Sequence, residues 1–145
     1  MTSAPREVWG DLAVTAFVES NPLFRSLDPD ARRDLLQMAA LVTCAPGEVV
    51  SAEVDETFVL LVEGSAALLV GGDEVTHLAR GATFGEGRVL GTPRGAALLA
   101  RTEVAAVVFP APVIAALAER FPRMKKLLEA VLAARAKEAA ARRPA

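Results

Sequence analysis

From Leu41 to Phe109 the chain breaks into short runs rich in Val, Leu and Ala, separated every few residues by turn-forming groups. This punctuation limits the possible folds more than any other feature. The turns fall at Pro46-Gly47, Val54-Asp55-Glu56, Glu63-Gly64, Gly71-Gly72-Asp73 and Arg80-Gly81. Runs this short, bounded this often, suit the strands of a compact β unit better than amphipathic helices. Strands are expected near residues 41–45, 48–52, 57–62, 65–70, 74–79, 82–84, 96–101 and 103–109.

Helical patterns flank this region. Between Ala4 and Ser20, the residues Val8, Trp9, Leu12, Ala13, Ala16 and Phe17 recur at spacings of three and four, the signature of one buried helix face. Trp9 belongs to that stripe, so it is expected in the core. Asn21-Pro22 ends the pattern, and Asp28-Pro29 supplies an N-cap and a first-position proline for a second helix that buries Leu35, Leu36 and Met38. After the strands, Pro110 to Pro112 returns the chain to helix, with Val113, Ile114 and Leu117 on one face. Pro122 opens a further helix whose stripe is Met124, Leu127, Leu128, Val131 and Leu132, with Lys125, Lys126, Arg135 and Lys137 outside and a fraying alanine-rich end.

The division is therefore one domain over residues 1–145: a helical lead-in (1–40), a β region (41–109) and C-terminal helices (110–145). The length suits a single core that buries roughly two thirds of the unfolded surface. Charge is unevenly spread. Residues 1–118 carry 8 Lys/Arg against 15 Asp/Glu, whereas residues 119–145 carry 8 against 3, an acidic body with a basic tail. The single Cys44 excludes an internal disulfide and reads as a small buried hydrophobe. No signal-peptide pattern opens the chain, and the longest uncharged apolar stretch, Val104 to Ala118, is too short for a membrane span and holds two prolines. A cytoplasmic protein without membrane attachment is expected.

Candidate chemistry concentrates between Arg80 and Ala100. Half of the ten glycines lie there, at Gly81, Gly85, Gly87, Gly91 and Gly95, around Glu86, Arg88 and Arg94. Such a loop can point several backbone N–H groups at one spot to form an anion site. Arg94 would add a planar fork suited to phosphate oxygens, and Glu86 an acceptor suited to sugar hydroxyls. The plainer reading is that the glycines make turns and the charges pair in solvent.

The order of these features resembles the cyclic nucleotide-binding domain family, which includes the sensing domains of the catabolite activator protein and the protein kinase A regulatory subunits. The matching pieces are Pro46-Gly47-Glu48, the strand and turn from Phe58 to Gly64, Phe84-Gly85-Glu86 and Pro93-Arg94-Gly95-Ala96. The resemblance implies a mainly β fold with flanking helices, a jelly-roll β-barrel (double-stranded β-helix) with a phosphate-binding cassette over residues 84–96. In it Glu86 would accept the ribose 2′-hydroxyl, Arg94 would pair with the cyclic phosphate, Gly95 and Ala96 would offer backbone N–H groups, and Gly85 would permit close approach. Gly87 and Arg88 belong to the same ligand-facing set. Gly95, where a hydroxyl residue would favour guanine, implies a slight preference for cAMP. The implied function is a stand-alone, non-enzymatic regulatory domain that senses a cyclic mononucleotide and passes the signal to a protein partner or homodimer through its C-terminal helices.

The sequence also departs from that pattern. Gly87-Arg88-Val89 replaces the usual apolar-small-Leu run, and seven residues separate Glu86 from Arg94, fewer than in many members. Arg88 has three options: joining the phosphate site, pointing outward, or filling the pocket. The segment from Glu53 to Phe58 lacks the family's Gly-Asp turn. These differences support a second expectation, a ligand-free module used for interaction or assembly.

Other chemistries are excluded by counting. His77 is the only histidine, so a three-histidine metal site lacks its ligands, and no Gly-x-Ser-x-Gly elbow accompanies it for nucleophilic catalysis. His77 reads as a surface residue on a strand. Gly85-x-Gly87-x-x-x-Gly91 runs into Thr92-Pro93 rather than a long helix, against a dinucleotide loop. No catalytic residue, metal or cofactor is expected. No DNA-recognition helix can be placed, so specific DNA binding is not expected, and the basic tail suits a helix C-terminus.

Overall fold

A computed structural model describes residues 5–142. In chain order the elements are β1 (Arg6–Glu7), α1 (Leu12–Ser20), α2 (Pro22–Arg25), α3 (Pro29–Met38), β2 (Ala40–Cys44), β3 (Val49–Ala52), a 3-10 turn (Glu53–Asp55), β4 (Thr57–Glu63), β5 (Ala66–Val70), β6 (Asp73–Leu78), β7 (Thr83–Phe84), α4 (Glu86–Val89), β8 (Ala96–Ala100), β9 (Val104–Pro110), α5 (Ala111–Arg120) and α6 (Pro122–Arg142). The eight expected strands all form, within a residue or two of the positions read from the sequence.

They form two antiparallel sheets, ordered β1-β2-β9-β4-β7 and β3-β8-β5-β6. The sheets are not closed into a barrel, so the jelly-roll expectation is corrected. A barrel needs its edge strands to pair with one another. Here β1 and β7, the edges of the larger sheet, are two residues each, too short to extend a ladder to the neighbouring sheet. Helix also outweighs strand, so the class is mixed α/β with two antiparallel sheets rather than mainly β.

β4 shows why the strands are so uniformly apolar. Side chains alternate across a strand, and both faces of β4 are covered. Phe58 and Leu60 join Val107, Phe109 and the helices in one core, while Val59 and Leu61 join Leu68, Leu98 and Ala106 in a second core between the sheets. The larger sheet is thus a shared wall, with helices on one face and the smaller sheet on the other. Register places Phe58 opposite Phe109 and Leu60 opposite Val107.

Capping sets where the helices start. Asp28 Oδ1 accepts from Ala31 N–H at 2.7 Å, with Pro29 behind it, and α3 forms as expected except that Met38 is 47% exposed. The first helix differs more. Asp11 caps at Val14 N–H (3.1 Å), so α1 begins at Leu12, and Arg6–Glu7 pairs instead with Leu41 and Ala40. The local cap and the sheet edge prevail over apolar spacing. Val8 is still buried, but Trp9 is 44% exposed and leaves the core to which its spacing assigned it; Ala4 lies outside the described residues. At the other end α6 extends to Arg142, and the rest of AKEAAARRPA, for which fraying is expected, lies outside the described residues. Among the described residues no helix is long and apolar enough to cross a membrane.

Candidate ligand-binding turn

The glycine loop leaves β7, forms the single helical turn α4 and re-enters the smaller sheet at β8. Val89 and Leu90 N–H groups close α4 onto the carbonyls of Gly85 and Glu86 at 3.0 and 2.9 Å. A Cβ on Gly85 would lie 2.6 Å from the Thr57 carbonyl oxygen, so the bare Cα there serves the packing of the loop on β4.

Glu86 points inward and is 2% exposed. Its Oε2 accepts from the Thr83 hydroxyl at 2.7 Å, and its Oε1 accepts from Arg135 Nη1, far along α6. Arg135 is itself 8% exposed, which corrects its expected place on the solvent face. A buried carboxylate without such partners is costly in a medium that solvates it poorly. The pair ties the distal part of α6 to the turn, beyond the stretch anchored by buried Met124 and Leu128.

Of the two amides expected to hold an anion, those of Gly95 and Ala96, the Ala96 N–H is bonded from within the chain, and its companion is Arg94 N–H rather than Gly95 N–H. Gly95 has φ +68°, a left-handed conformation, and the N–H groups of Arg94 and Ala96 on either side of it converge. Both donate to one atom, Glu53 Oε1, at 2.8 and 2.6 Å. Glu53 belongs to the 3-10 turn after β3 and is 5% exposed. The other side of its carboxylate faces Gly87, where a Cβ would come within 2.5 Å of Oε2.

The two arginines separate. Arg88 takes the outward option: its guanidinium pairs with Glu56 across partly exposed surface. Arg94 contributes its backbone to Glu53, while its side chain lines an open cleft of about 720 Å³ between the loop and α6, with Leu90, Pro93, Lys125, Leu132 and Ala136. Its buried Nε has no hydrogen-bond partner among the described residues. The structure therefore gathers Gly87, Ala96 and the Arg94 backbone around the Glu53 carboxylate, joins Glu86 separately to Thr83 and Arg135, and pairs the Arg88 side chain with Glu56.

Sequence reasoning missed Glu53, Thr83 and Arg135. Glu53 had a signal: it opens the segment that lacks the Gly-Asp turn, and glycine replaces the apolar residue after Glu86. Two residue placements agree with the sequence reading. Cys44 is buried, and His77 is an exposed strand residue with Nε2 3.4 Å from Glu74. Among the described residues no group of three His, Cys, Asp or Glu side chains could hold a metal.

No protein-family model matches the chain. Solved structures do. Matches include cAMP-bound PfPKA-R (141–441), at 19% identity over 86% of this chain and 44% of that one, TM-score 0.69. The regulatory subunit of a cAMP-independent protein kinase A from Trypanosoma brucei matches at 17% over 83% and 44%, TM-score 0.68. The sensor domain of the transcriptional regulator DNR from Pseudomonas aeruginosa matches at 21% over 83% and 91%, TM-score 0.71. The chain thus spans under half the length of the two kinase-subunit structures. At these identities the likeness is one of fold, and the fold is that of the cyclic nucleotide-binding domains.

Proposed function

We propose that this chain is a non-catalytic regulatory module whose output is the docking of α6 on the glycine turn, read by a protein partner, and that it keeps α6 docked without a nucleotide. The observation that carries this reading is the buried Arg135–Glu86 pair. The carboxylate expected to receive a ribose hydroxyl is bonded through both oxygens, to Thr83 and to α6. A ligand would have to offer Glu86 more than Arg135 does, because it shifts α6 only by its differential affinity for the two arrangements. Half-buried Leu127 and Val131 give one flank of α6 an apolar edge for a protein partner or a second copy.

A second reading is favoured by the cleft. Arg94, Lys125 and Glu129 flank an apolar wall of Leu90, Pro93 and Leu132, with Lys125 also 3.3 Å from Glu119, so Arg94 is the cation that could meet an anionic nucleotide lying between the loop and α6. On that reading the chain senses a cyclic mononucleotide, cAMP before cGMP, with Arg94 on the phosphate; PfPKA-R, which shares the fold, is cAMP-bound. Calorimetric titration with cAMP, cGMP and pyrimidine cyclic nucleotides separates the two. Silence across the panel is expected. Heat that disappears in Arg94→Ala would overturn the first reading in favour of the second.

A further inference from the structure

We infer that Glu53 is a built-in anion that completes the turn's own binding site and determines that cyclic nucleotides are refused there. The inference rests on the reading that α6 stays docked without a nucleotide, and it names the group responsible. A cyclic phosphate diester and a carboxylate each carry one negative charge, and each presents oxygens to backbone amides. The N–H groups of Arg94 and Ala96, which Gly95 turns to a common point, form a pair able to hold an anion, and Glu53 Oε1 takes both, including the Ala96 amide that the resemblance assigns to a phosphate.

The arrangement is matched on every side. Gly87 presents no side chain where one would strike Oε2, so the position after Glu86 is open only as far as Glu53 requires. The 3-10 turn is held in place as Asp55 Oδ2 accepts from Ala52 N–H at 3.1 Å and Glu56 N–H donates to the Glu53 carbonyl at 3.4 Å. The carboxylate of Glu53 is almost fully buried, and its hydrogen bonds among the described residues go to backbone amides. Oε1 therefore satisfies both amides. An incoming phosphate would have to displace Glu53 from both amides and then sit beside the displaced charge.

The test follows the backbone amide resonances of Arg94 and Ala96 in the full chain, by ¹⁵N correlation spectra, as cAMP or inorganic phosphate is added. In the unaltered chain neither resonance should move. In Glu53→Ala both should move and saturate, with cAMP affinity raised by at least about tenfold. Glu53→Gln keeps the shape without the charge and should gain binding to a lesser degree. Its spectrum decides the matter if Glu53→Ala does not fold. Movement of these resonances in the unaltered chain on adding cAMP would overturn both the inference and the reading beneath it. Silence in the unaltered chain and in the folded variants would leave that reading standing and overturn the role of Glu53.

Discussion

Replacing Arg135 by Met keeps most of the side-chain volume but leaves the Glu86 carboxylate buried with only the Thr83 hydroxyl as partner. Removing one member of a buried ion pair typically destabilises by about 3–5 kcal/mol, because an uncompensated charge remains in a medium that solvates it poorly. Both groups here are more than nine-tenths buried, so solvent screening gives little relief. With an unfolding entropy of about 2.1 cal/mol/K per residue, the loss corresponds to a fall in Tm of roughly 10–16 °C for a chain of this length. Glu86→Gln should cost a similar amount by stranding the guanidinium. The double variant Arg135→Met/Glu86→Gln should recover much of the loss, since neither charge remains. Thermal and urea unfolding of the four proteins, followed by circular dichroism, gives the cycle. Single losses below about 1 kcal/mol, the range of exposed pairs, or losses that add to within about 0.5 kcal/mol, would refute the buried latch.

Two further outcomes follow from the packing. Gly87→Ala should push Glu53 off the Arg94 and Ala96 amides and destabilise by about 1–3 kcal/mol. In a Glu53→Ala background the same change should cost clearly less, only the 3.1 Å approach to the Thr92 carbonyl remaining, as chemical denaturation would reveal. Phe109→Ala removes a fully buried ring whose centroid lies 5.0 Å from that of Phe24, and should lower stability by about 3–5 kcal/mol in the same assay.

Local signals carried most of the fold into view. The β4 run, the Pro46-Gly47 turn and the Asp28-Pro29 cap each act within a few residues, so strand and helix positions were legible. Sheet closure was not, because it depends on which distant edges pair, and two-residue β1 lies inside a stretch whose apolar spacing reads as helix. At the site, the composition of the turn was readable and its occupants were not. Glu53 meets Arg94 and Ala96 across 41 and 43 residues, and Arg135 meets Glu86 across 49. Arg135 nevertheless lies on the spacing of the buried stripe, following Met124, Leu128 and Val131 at intervals of four, three and four. Its charge sent it to the wrong face, although a cation on an apolar stripe implies an acidic partner beneath it.

Because one sheet is the common partition of both cores, neither half of the molecule has an interior of its own. Stripping away the helices would bare Phe58 and Phe109, and stripping away β5 and β8 would bare Val59 and Leu61. Heat or urea should therefore melt the chain in one step, with β4 amides the last to exchange with heavy water.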